Sequence, residues 1–174
     1  GIGTRSVPAF LSLPPSRIKL GRLSILAINA GIVLTVSGWL FGTVSWMLVS
    51  GALLELLGFA TFTAAIRLYS RGVRPRANTG WLYRRYEWYL RIAFSWLVIA
   101  GILRAWSTMA YIWPTIEPPI NLAAPVLHVL ALGFVSMMIM GMAARMLPAF
   151  EGAVLPFHRL MDVALVLLNV SVLL

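Results

Sequence analysis

The sequence contains no cysteine, which excludes disulfides, thiolate metal sites and cysteine nucleophiles. It is also poor in charge. Only 11% of its 174 residues are Asp, Glu, Lys or Arg, where a soluble domain carries roughly a quarter. Carboxylates are the scarcer sign, five against fourteen Lys and Arg, and there are two histidines. No nucleophile–base pair, phosphate loop or clustered metal-ligand motif emerges that would define an enzyme by itself. Nothing in the first twenty residues resembles a cleavable signal peptide, because Pro8, Pro14 and Pro15 interrupt it and no apolar core is present. A net charge of +9 would suit nucleic acid. The basic residues, however, cluster between apolar runs instead of lining one helix face, so nucleic acid is not an expected partner.

What the sequence does have is hydrophobic length. Sixty per cent of it is hydrophobic, in five segments at about 22–42, 45–67, 88–113, 122–146 and 157–174. Crossing ~30 Å of hydrocarbon takes about 20 apolar residues. Backbone groups in lipid must be satisfied within the segment, so such runs read as helices. The expected fold is therefore all-α: a polytopic transmembrane bundle of about five helices following a basic N-terminal segment, residues 1–21. Only the turn Phe41–Ser45, with Gly42, separates the first two segments, which predicts a hairpin. Pro114, Pro118 and Pro119 break the chain between the third and fourth. The linker 70–80 is polar and too short to be a domain, and no internal repeat stands out. Beginning at Gly1, and with a fifth segment of only about eighteen residues, the sequence reads as part of a longer protein.

Lys and Arg set the expected orientation. Arg5, Arg17, Lys19 and Arg22 precede the first segment; Arg67, Arg71, Arg74, Arg76, Arg84, Arg85 and Arg91 lie around the second connection; Arg145 and Arg159 flank the fourth. The other two connections carry no Lys or Arg, and one carries Glu117. This alternation puts the N-terminus in the cytoplasm. Trp81, Tyr83, Tyr86, Trp88 and Tyr89 then fall at the inner boundary as interfacial anchors, and Trp39, Trp46, Tyr111 and Trp113 at the outer one.

Ionisable groups at membrane depth are costly and mark candidate sites. Glu55, Arg104 and His128 are the clear cases, each roughly 10–15 Å below the outer boundary by helix rise. Two readings stay open. In one, Glu55 and Arg104 neutralise each other and His128 bonds to a neighbouring helix. In the other, His128 ligates a haem iron and Arg104 neutralises a haem propionate. His158 opens the fifth segment at the inner boundary, roughly 20 Å from His128 along the membrane normal, so the two cannot share one iron. On the fourth helix, Leu132, Val135, Ile139, Met142 and Met146 fall on the His128 side, and Gly133, Met137, Met140, Gly141 and Ala144 on the opposite one. The second set predicts a close-packing seam. The methionines there raise copper, since thioethers suit Cu(I). Their angles scatter, though, and make no ligand ladder.

The stretch HVLALGFVSMMIMGMAARMLPAFEG (128–152) resembles NnrS-type membrane proteins and related proteins similar to haem–copper oxidase subunit I. A His opens the helix, Gly133 follows, a Met-rich run leads to Gly141, and Arg-x-Leu-Pro closes it. The segment FHRLMDVALVLLNVSVLL, with Asn169 mid-helix, looks like the next helix of that pattern, and GILRAW (101–106) is similar less specifically. The resemblance covers roughly 120–174 and implies a haem-associated protein of a bacterial cytoplasmic membrane, with His128 as the candidate ligand. It departs from the family in length, NnrS proteins being about twice as long, and in lacking the other histidines of a haem–copper core. Two functions follow as alternatives. One is an NnrS-like haem protein of nitric oxide response or respiratory redox chemistry. The other is a non-catalytic accessory transmembrane subunit of a larger respiratory or photosynthetic complex, contacting other membrane chains or an unseen C-terminal part. A transporter using Glu55 is a third, weaker idea, for the sequence lacks paired broken helices.

Overall fold

The computed structural model describes residues 17–41, 45–67, 69, 85–113, 122–151 and 158–174. Among them the fold is all-α, with no strand. Helix α1 is Ile18–Phe41, α2 is Ser45–Ile66 and α3 is Arg85–Ile112. Helix α4 runs unbroken through three stretches, α-helical Ala123–His128, π-helical Val129–Ser136 and α-helical Met137–Glu151, and α5 is His158–Leu173. Four of these are long and apolar enough to cross a membrane: Ile18–Phe41, Trp46–Ile66, Tyr86–Ala110 and Ala123–Ala144. The chain is an integral membrane protein.

The boundaries differ from expectation at three ends. Helix α1 starts at Ile18, not near residue 22, because exposed Lys19 and Arg22 can run their apolar stems along the helix and keep their charges at its end. Helix α3 starts at Arg85 instead of near 88. Helix α4 passes Pro148 and ends at Glu151. A proline so near a helix end forfeits one hydrogen bond where carbonyls are unpaired in any case. Trp81, Tyr83, Glu117 and the linker 70–80 lie outside the described residues.

The helices divide into two compact units, one within Gly1–Val73 and Val98–Val126, the other within Arg74–Leu97 and Leu127–Leu174. In the first, α1 and α2 pack through a seam of small residues. Gly21, Ser24, Gly31, Thr35 and Gly38 of α1 are buried, and Ile28 completes an alternating three-and-four spacing. Leu48, Gly51, Glu55 and Gly58 of α2 are buried at the same spacing, which is the heptad period of a left-handed helix pair. At the centre the backbones nearly touch. A Cβ on Gly31 would lie 2.7 Å from the Gly51 carbonyl oxygen, and one on Gly51 would lie 2.8 Å from that of Gly31. The open end of the hairpin is tied by Arg17 N–H donating to the Ala65 carbonyl at 3.1 Å. Arg67, just past α2, holds a left-handed backbone, φ 56°.

In the second unit, buried Tyr89, Ala93 and Met137 form the core, with Trp96, Phe134, Met161, Leu165 and Leu168 packed around it. Phe134 meets Phe94 edge to face at 5.6 Å. The small face of α4 does meet another helix: a Cβ at Gly133 would strike Trp96 at 2.8 Å, and one at Gly141 would strike Tyr89 at 2.8 Å. Positions four apart on an α-helix drift by about 40° per step. The wider π turn drifts the opposite way, which keeps Val129, Gly133, Met137 and Gly141, all buried, on one line.

Tyr86 and Tyr89 correct the expected aromatic belt. Both are buried, at 8% and 2% exposure, because they lie three apart on the inward face of α3, where the Tyr89 hydroxyl donates to the Met161 carbonyl. Trp88, on the other face, is exposed, as are Trp39, Trp46 and Trp113. Arg91 stacks over Trp88 at 6.0 Å and pairs with Glu87 at 3.5 Å.

Candidate functional site

Serine, threonine and asparagine in an apolar span need partners that water cannot supply. Most find them in their own helix. Asn29 donates to Ile25, Thr61 to Leu57, Thr63 to Phe59, Ser95 to Arg91 and Thr108 to Arg104, each to the carbonyl one turn back. Ser136 reaches the Ala131 carbonyl five residues back, in step with the π register. Among the described residues no buried side-chain nitrogen or oxygen lacks a partner. Polar groups bonded across helices therefore stand out, and they form one centre in each unit.

The centre of the first unit is Glu55. Gly31 leaves the space for its side chain, since a Cβ there would lie 2.7 Å from Glu55 Cγ. On α3, Gly101 lies against Leu56 and Phe59 of α2, and Arg104 follows one turn later on the same face. Arg104 Nε then donates to Glu55 Oε2 at 3.1 Å. The Thr35 hydroxyl, 2.9 Å from the Gly31 carbonyl and 3.2 Å from Glu55 Oε1, shares its one proton between them. Both carboxylate oxygens are thereby engaged. The pair is lopsided, the Glu55 side chain being 3% exposed and that of Arg104 40%. Arg104 has five N–H donors; Nε is committed to Glu55, and the outer end of the guanidinium is turned toward the surface.

The centre of the second unit is built on α5. Trp96 Nε1 donates to Asn169 Oδ1 at 3.0 Å, and Asn169 Nδ2 donates to the Leu165 carbonyl at 2.8 Å, which fixes that amide from both sides. Two residues on, the Ser171 carbonyl lies 2.7 Å from His128 Nε2. A carbonyl only accepts, so Nε2 carries the proton and the lone pair of the imidazole resides on Nδ1. His128 is exposed and sits where α4 passes from α to π geometry. π turns recur at functional positions in helices. Among the described residues no group of three or more His, Cys, Asp or Glu converges.

Of the residues expected from sequence, the structure unites Glu55 and Arg104 and gives His128 a partner on the next helix. His158 is the first residue of α5, as anticipated. Sequence reasoning missed Thr35, Trp96 and Ser171. The alternating small residues of α1 were a signal for Thr35; for Ser171, whose contribution is a backbone carbonyl, there was none. Comparison with curated proteins and with solved structures found no match. The family model described as Domain of unknown function (DUF8744) matches residues 10–174, and the chain belongs to that family.

Proposed function

We propose that this is a haem-associated integral membrane protein of NnrS-like type, resident in a bacterial cytoplasmic membrane and linked to nitric oxide response or respiratory redox chemistry. The observation that supports it is the condition of one imidazole. His128 lies within a membrane-crossing stretch, is exposed, and has its Nε2–H on the Ser171 carbonyl. Metal-ligating histidines characteristically donate their other ring N–H to a carbonyl in this way. Porphyrin brings four nitrogen donors of its own and asks the protein for an axial imidazole, and one imidazole is what this face offers. Ligation through Nδ1 would keep the Ser171 bond, while ligation through Nε2 would release it. The outer N–H groups of Arg104 suit a propionate, its charge already oriented by Glu55. A bound haem would supply a site for a diatomic ligand or an electron. The test is the absorption spectrum of purified protein. A Soret band is expected, and His128→Ala should abolish it. Absence of haem, or an unchanged spectrum in that variant, overturns the proposal.

A second reading, a non-catalytic accessory subunit of a larger membrane complex, draws on a different observation. Glu55 and Arg104 cancel within their own unit, so this charge pair works as a packing element. That reading expects extensive contacts with other membrane chains after mild solubilisation. A stable haem-containing monomer would rule it out.

A further inference from the structure

We propose that the start of α1, at the open end of the α1–α2 hairpin, binds the headgroup of an anionic phospholipid. Arg17, Lys19 and Arg22 are all exposed within six residues of one another. The bond from Arg17 N–H to the Ala65 carbonyl anchors them beside the end of α2, where the left-handed backbone of Arg67 adds another exposed cation. A helix of 24 residues starts at Ile18, so the N–H groups of its first turn have no partner within the helix and point toward the same end. Such a terminus favours anions, phosphate above all. Carboxylates are scarce nearby: residues 1–73 contain a single acidic residue, Glu55, which is buried and engaged by Arg104.

What singles out a phospholipid is the border of the patch. Ile18, Leu23 and Leu26 are 54%, 57% and 67% exposed on the same helix, in a stretch able to cross a membrane. Headgroup phosphate and acyl chain would thus each meet their complement, the phosphate on the cations and helix end, the chain on the apolar flank. Free phosphate would use only the first of these.

The experiment is native mass spectrometry of the full chain taken from nanodiscs of equal phosphatidylcholine and phosphatidylglycerol. Retained phosphatidylglycerol should exceed phosphatidylcholine by at least tenfold, and inorganic phosphate at millimolar concentration should not displace it. Lys19→Gln with Arg22→Gln should reduce the preference by roughly 30-fold, to near parity, as expected for two cations beside an anionic surface. The charge-conserving pair Lys19→Arg with Arg22→Lys should keep it, and a thermal melt verifies that each variant is folded. Equal retention of the two lipids by the wild-type chain, displacement by inorganic phosphate, or an undiminished preference in a folded Gln variant overturns the proposal.

Discussion

Glu55 illustrates how one carboxylate is carried inside an apolar helix. An ionised group at the centre of a spanning helix costs about 3 kcal/mol by insertion scales, and here Arg104 and Thr35 offset it. Removing one partner of a buried pair leaves the other uncompensated, at about 3–5 kcal/mol. With Arg104 partly exposed, Glu55→Gln should cost toward the low end of that range, about 3 kcal/mol, in a detergent unfolding assay. Adding Arg104→Gln should recover part of the loss, because two neutral amides replace one stranded cation. If the double variant is no more stable than Glu55→Gln alone, the two residues do not act as a pair. These residues were legible in the sequence because an ionisable side chain in an apolar run is conspicuous. Their partners were not. Thr35 lies twenty positions before Glu55 and Ser171 forty-three after His128, and such contacts depend on helix phase and approach, which composition does not encode. Tyr89 was misread for the same reason: its neighbours Trp88 and Arg91 suggest an interface, yet its own phase turns it into the core.

Between elements, closeness is set by glycine. Without water to drive helices together in a bilayer, packing of small residues does much of that work. In the α1–α2 pair any side chain at Gly31 or Gly51 meets opposing backbone, which cannot give way as a flexible side chain would. Gly31→Ile should therefore prevent the hairpin from closing. Its thermal midpoint should fall by many degrees, while Leu40→Ile, at a position 76% exposed, should leave the midpoint within a degree or two. The hairpin itself could be read from sequence, since its turn is three residues long; the seam that closes it was missed, although its spacing was on view. In the other unit, Trp96→Phe keeps the ring against Gly133 but deletes the N–H on Asn169. Intramembrane hydrogen bonds average about 0.6 kcal/mol, so a loss of that order is expected in an unfolding titration. A loss above about 2 kcal/mol would mean that the bond secures more than its own geometry, namely the seating of α5.

For the molecule as a whole, the legible feature was charge. Long uncharged runs identified the spans, and the all-α, polytopic class was readable for that reason. The orientation inferred from Lys and Arg is open to direct test because the sequence has no cysteine to remove first. A single Trp113→Cys should react with a membrane-impermeant maleimide in intact cells, and a single Tyr69→Cys only after lysis. The reverse pattern would invert the topology.

The π stretch of α4 has a consequence for how this helix tolerates changes of length. A wide turn stores one residue more than an α-helix needs over the same rise. Deleting one residue between Val129 and Ser136 should let the backbone relax to ordinary α pairing. The two flanks would then be rotated by about 100° relative to each other. His128 could keep Ser171, or Met137 and Gly141 could keep Tyr89, but not both. Such a shortened chain should still insert as a helix and lose one of its two sets of neighbours, so that insertion and correct packing come apart at a single codon.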